Sequence, residues 1–176
     1  MNLTEASLSR VWQHINDPNM SVALLTAFRK GNSPELNLQQ NRGLAAKIGN
    51  LKCGYFYVDG HWVENAGTPD EETVEEDTIF ALRTTGSNLQ KEQHFIKQIT
   101  ELVFSYDQEA VLIKTSAGPN VYFADGGIES LSKLTIGGLG QMYTKLRRKP
   151  ATSTFVFESE RDALGFLQRL AGIQPK

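Results

Sequence analysis

Apolar residues in this chain come in short packets, and strand-like and helix-like spacings alternate along it. Residues 22–28 form an apolar run broken only by Thr26. The run is far shorter than the ~20 residues a membrane-spanning helix needs, so it reads as a buried strand. The next apolar set has a different period. After a polar loop, Ser33 and Pro34 match an N-cap and first helical position. The helix they open is expected to turn Leu38, Leu44, Ala45 and Ile48 inward, with Gly49 as its stop. A chain that switches period in this way builds a sheet with helices packed on it.

The remaining segments fill in that outline. Thr4 is placed to cap a first helix through Leu8, Val11, Trp12 and Ile15, ended by Asp17-Pro18-Asn19. Phe95, Ile96, Ile99, Leu102 and Val103 make one face of a long helix. Residues 55–58 and 61–64 flank Asp59-Gly60, a pair that suits a two-residue type I′ turn, so a hairpin is expected there. Residues 77–82, 110–115, 121–124 and 154–158 read as strands, with Ala117-Gly118-Pro119-Asn120 as a turn. Ser159 is placed to cap a last helix through Ala163, Leu164, Leu167 and Leu170. The expected fold is one α+β domain over residues 1–176. Its sheet is mixed or mostly antiparallel, of about six or seven short strands, with helices packed on it. Residues 1–20 form a helical appendage, and residues 126–150 a glycine-rich and then basic segment.

Charge and cysteine content narrow the function classes. The chain has 176 residues, with 18 basic and 20 acidic side chains for a net charge of −2. That balance gives the whole chain no bias toward nucleic acid or a membrane surface. One cysteine, Cys53, excludes an intramolecular disulfide and a multi-cysteine zinc site. His14, His61 and His94 fall in no metal-ligand spacing, so neither a metal nor a cofactor is expected. The N-terminal residues lack the basic start and unbroken apolar stretch of a secretory signal, and the expected location is the cytoplasm.

Four groups of residues bear on chemistry. Gly137-Gly138-Leu139-Gly140 lacks the lysine and hydroxyl residue that make a phosphate loop. Asp70, Glu71, Glu72, Glu75, Glu76 and Asp77 form an acidic run that reads as a solvated stretch before a magnesium site. Within it, Glu76 joins Glu64 and Lys114 as the catalytic set that a metal-dependent nucleic-acid enzyme would use. Lys145, Arg147, Arg148 and Lys149 form the one basic cluster, with Tyr143 just before it. If residues 139–146 continue as helix, Lys145, Arg148 and Lys149 share a face. Tyr55, Tyr57 and Trp62 are bulky aromatics on the expected hairpin, where a partner would repay their exposure.

Several short patterns occur in a fixed order: Leu25-Thr26-Ala27, Asn41-Arg42 with Leu44 and Ile48, Gly54-Tyr55, Gly60-x-Trp62-x-Glu64, Val74-x-Glu76 and Gln108-Glu109-Ala110-Val111-Leu112. In that order they resemble a family of small phage and bacterial proteins, a domain of unknown function, over about residues 22–115. The resemblance implies a compact α/β domain and a phage or prophage origin; it implies no established activity, and no catalytic residue is carried across. From the residues themselves, Asn41, one turn from Asn37, is placed to bond a neighbouring loop. Arg42, Glu64 and Glu76 are placed to pair across the sheet edge.

The first expectation is therefore a phage-type accessory protein that binds a macromolecular partner, a protein before a nucleic acid, without catalysis. Its binding residues are Tyr55, Tyr57, Trp62, Tyr143, Lys145, Arg148 and Lys149. The alternatives are the metal-dependent nucleic-acid enzyme built on Glu64, Glu76 and Lys114, and a structural component of the virion.

Overall fold

Strand pairing organises the chain. The structure, a computed structural model, describes residues 13–29, 31–64, 69, 72–136, 142–146 and 155–159, with backbone alone for 58–64, 72–76, 132–136, 142–146 and 155–159. A short helical stretch at residues 13–16, α1, leads to β1 (Met20–Leu25) and α2 (Pro34–Asn50). Then come β2 (Gly54–Glu64), β3 (Glu72–Thr84), α3 (Leu89–Phe104), β4 (Ala110–Thr115) and β5 (Gly118–Phe123). The series ends with β6 (Ile128–Ile136), β7 (Met142–Leu146) and β8 (Phe155–Ser159). All the pairings are antiparallel. They run β1-β3-β2-β7-β8-β6-β5-β4 and close back on β1 as a barrel. The fold is α+β with an antiparallel sheet, as the sequence indicates.

Strand alternation sorts the barrel's side chains into two sets. Ala23, Leu25, Ile79, Ala81, Val111 and Ile113 pack with Leu44, Ala45 and Ile48 of α2 and Phe95, Ile99 and Val103 of α3. The helices therefore cover one outer flank. The other set includes Val22, Phe80, Leu112, Val121, Phe123 and Leu131, which are buried without belonging to that cluster. These point into the ring, where Phe80 stacks on Phe56 with ring centroids 4.7 Å apart.

The helix signals act as expected. Ser33 Oγ accepts from the Leu36 N–H at 3.2 Å and Pro34 opens α2. Asn88 Oδ1 accepts from the Lys91 N–H at 3.0 Å at the start of α3. Replacing Ser33 by alanine removes an acceptor for a first-turn N–H, so urea denaturation should show a loss of about 1 kcal/mol. A cost indistinguishable from zero would show that water takes over the cap. At the other end, Arg83 donates to the Leu51 carbonyl and to Gln98 Oε1 at 2.9 Å, tying the end of α2 to α3.

Four expectations need correction. Asp59-Gly60 is not a turn, because β2 runs through it in unbroken register with β3, from Gly54 opposite Leu82 to Glu64 opposite Glu72. The chain reverses after Glu64 instead. Leu38 is 40% exposed, and the inward position on that part of α2 belongs to Asn41. The β4–β5 turn is Ser116-Ala117, since Thr115 already pairs with Gly118, and Pro119 and Asn120 lie within β5. Residues 142–146 form a strand and not a helix, since their backbone pairs with β2 and β8. The described residues form eight strands, two of them long, β2 with 11 residues and β3 with 13. The expected Thr4 cap, the last helix after Ser159 and the glycine run at 137–140 lie outside the described residues.

Candidate functional site

The expected binding residues come from two segments more than 80 positions apart in sequence, and β2–β7 pairing joins them. Asp59 lies opposite Lys145, His61 opposite Tyr143 and Trp62 opposite Met142. Directly opposed residues share a sheet face, so Tyr143 and Lys145 take the alternation of Tyr55 and Tyr57. Trp62 takes the other one, that of Phe56. Tyr55 and Tyr57 are both half-buried, and their rings meet edge to face with centroids 6.1 Å apart. Their inner edges pack against the core under α2, and the Tyr55 ring lies beside Gly49. Each ring thus has an anchored side and a side open to solvent. Arg148 and Lys149 lie outside the described residues, so the shared helix face expected for them has no counterpart at Lys145, which sits in β7.

The residues of the enzyme alternative occupy different parts of the barrel. Lys114 pairs with Val22 of β1, and Val22 pairs with Leu82 of β3. Glu76 is six positions along β3 from Leu82, about 20 Å at the rise of an extended chain. Glu64 is further along, opposite Glu72. The Lys114 ammonium donates to the Asp17 carbonyl and to the Met20 carbonyl, the latter at 2.9 Å. Burial pushes its pKa below the usual lysine value, and the charges of Asp17 and Glu92 partly restore it. The lysine therefore ties the α1–β1 connection to β4. Among the described residues, no three histidine, cysteine or acidic side chains form a group able to hold a metal ion. His94 is exposed and His14 half-buried. Cys53 is buried, and burial pushes its thiol pKa up.

Two buried polar side chains carry more of the architecture than the sequence suggests. Asn41 on α2 accepts from the Ala27 N–H at 3.0 Å and donates to the Asp77 carbonyl at 2.9 Å. One turn earlier, Asn37 accepts from the Arg29 N–H at 2.9 Å and donates to the Arg29 carbonyl at 3.1 Å. The expected bond from Asn41 to a neighbouring loop is thus present, and Asn37 repeats it. The other side chain, Glu92, is buried in the first turn of α3 and passed without notice in the sequence. Its carboxylate accepts from the Ser116 N–H at 2.9 Å and from Ser116 Oγ at 3.0 Å, fixing the helix start to the β4–β5 turn. An acid in a first helical turn is a common dipole partner, so its sequence signal does not announce a distant contact.

No helix among the described residues is long and apolar enough to cross a membrane. No model of a known protein family matches the chain, and no curated protein matches it either.

Proposed function

We propose that this chain is a non-catalytic accessory protein of phage type that works in the cytoplasm by binding a partner protein on its β2–β7 flank. The observation that supports this reading is the register of β2 with β7. It gathers Tyr55, Tyr57, Tyr143 and Lys145 onto one alternation from segments far apart in sequence. Tyrosines held rigid on one side lose little entropy when a partner covers the other, which is why they recur as interface anchors. A lysine beside them steers an acidic partner and mainly raises the association rate.

The test places a benzophenone amino acid at position 143 and irradiates the protein in host lysate. A specific protein adduct is expected, and its yield should fall with Lys145→Glu. An unchanged yield in that variant overturns the assignment of the flank. The same preparation is titrated with generic duplex DNA and RNA at two salt concentrations. Tight nucleic-acid binding that survives physiological salt and is lost in Arg148→Glu overturns the protein partner in favour of a nucleic acid.

A further inference from the structure

Among the described residues, part of one long strand of the closed barrel has a single neighbour. β1 follows β3 only from Thr84 to Ile79, where Leu25 is its last partner. β2 continues beside β3 to Glu72. Residues 72–78 of β3 therefore have β2 on one side, and among the described residues no strand on the other.

The way β1 departs fixes which backbone groups face outward. The Asp77 carbonyl receives Thr26 Oγ1 at 2.9 Å and Asn41 Nδ2 at 2.9 Å, so it points away from β2. In an antiparallel ladder the N–H and C=O of one residue point the same way, and alternate residues share that direction. Glu75 and Thr73 accordingly present their N–H and C=O on the open side, while Val74 and Glu76 bond β2. Two side chains close the ladder at Asp77, and beyond it the strand offers a pairing edge.

Charge selects the occupant. Six of the eight residues 70–77 are acidic. Two copies of this edge side by side would bring like charges together, which disfavours pairing between identical edges. An extended segment rich in lysine or arginine meets the opposite situation. Main-chain bonds then supply affinity and charge supplies selection. We propose that the open edge of β3 at residues 73–75 binds a basic, extended segment of a partner protein as an added strand. This edge borders β3 on the side away from β7, and the proposal stands independently of the β2–β7 reading.

The probe is a labelled octapeptide of alternating lysine and threonine, measured by fluorescence anisotropy against the same peptide with glutamate for lysine. The lysine peptide should bind and the glutamate peptide should not. Glu75→Pro removes an outward N–H and leaves the β2 ladder intact, a kind of strand position where proline is tolerated. It should weaken binding about tenfold with an unchanged thermal melt. Should that variant fail to fold, the peptide carries the test. An added strand uses one edge, so N-methylation of one alternate set of amides should abolish binding and of the other set spare it. Absence of binding, equal binding by folded Glu75→Pro, or equal binding by both methylated peptides overturns the proposal. Self-association of the wild type that Glu75→Pro abolishes would assign the edge to a second copy and overturn it likewise.

Discussion

Asn41→Ala should cost about 3 kcal/mol of folding stability, read from urea denaturation, although it deletes only a small polar side chain. Asn41 is 1% exposed and Ala27 fully buried, so no water stands ready to replace the amide. Its loss leaves the Ala27 N–H without its acceptor in the core, which is the costly half of a broken hydrogen bond. The Asp77 carbonyl suffers less, because Thr26 Oγ1 still donates to it. Asn41→Asp separates the two halves. A carboxylate still accepts from Ala27 but cannot donate to Asp77, and it brings a charge into the interior. Burial raises the pKa of such a carboxyl above its unfolded value. The folded variant then binds more protons than the unfolded chain between the two values, so its stability falls as pH rises through that window. Asn41→Asp should recover toward wild type as the solution is acidified, and Asn41→Ala should show no such recovery. A loss below about 1 kcal/mol for Asn41→Ala, the size of an ordinary exposed bond, would show that the amide does not hold β1 to α2.

The helices were legible because their signals are local. Ser33-Pro34 and the spacing of Phe95, Ile99 and Val103 need nothing beyond their own turns of chain. Leu38 was misplaced for an instructive reason. Apolar periodicity assigns the inward positions to apolar residues, whereas here the exit of β1 leaves backbone groups that the Asn41 amide, both donor and acceptor, satisfies. Asp59-Gly60 failed differently. The pair suits a tight turn, but as strand Gly60 turns its N–H and C=O to Glu76 of β3 while Asp59, by alternation, turns its own toward Lys145 of β7, so extending the strand satisfies the backbone groups of both residues. The deciding partner, β7, lies some 80 residues away, and no local rule contains it. The same pairing turned residues 142–146 from an expected helix into a strand. It also made the candidate surface, whose residues the sequence named one by one without showing that Tyr143 and Lys145 stand beside the Tyr55 and Tyr57 alternation.

Lys114→Met should destabilise the fold by about 2 kcal/mol at neutral pH, since it leaves two carbonyl groups at the α1–β1 connection without their shared donor. Methionine keeps most of the length and apolar volume of the stem, so the variant tests the ammonium itself. Asp17 and Met20 are also joined directly, by the Met20 N–H to the Asp17 carbonyl at 3.1 Å, which limits the damage to the connection. The pH dependence gives a second and independent readout. Burial holds the folded-state pKa of Lys114 below 10.5, the value of an unperturbed lysine. Between those two values the unfolded chain binds more protons than the folded one, so this group makes stability rise with pH. Below the folded pKa both states are protonated, and the desolvation penalty is fully present. The stability of wild type relative to Lys114→Met should therefore increase as pH rises from neutral toward 10.5. Subtracting the variant removes the tyrosines and other lysines that titrate in the same range. A catalytic lysine facing solvent, as the enzyme alternative requires, predicts the opposite pair of results: little loss of stability, and a wild-type to variant difference that stays flat across the range.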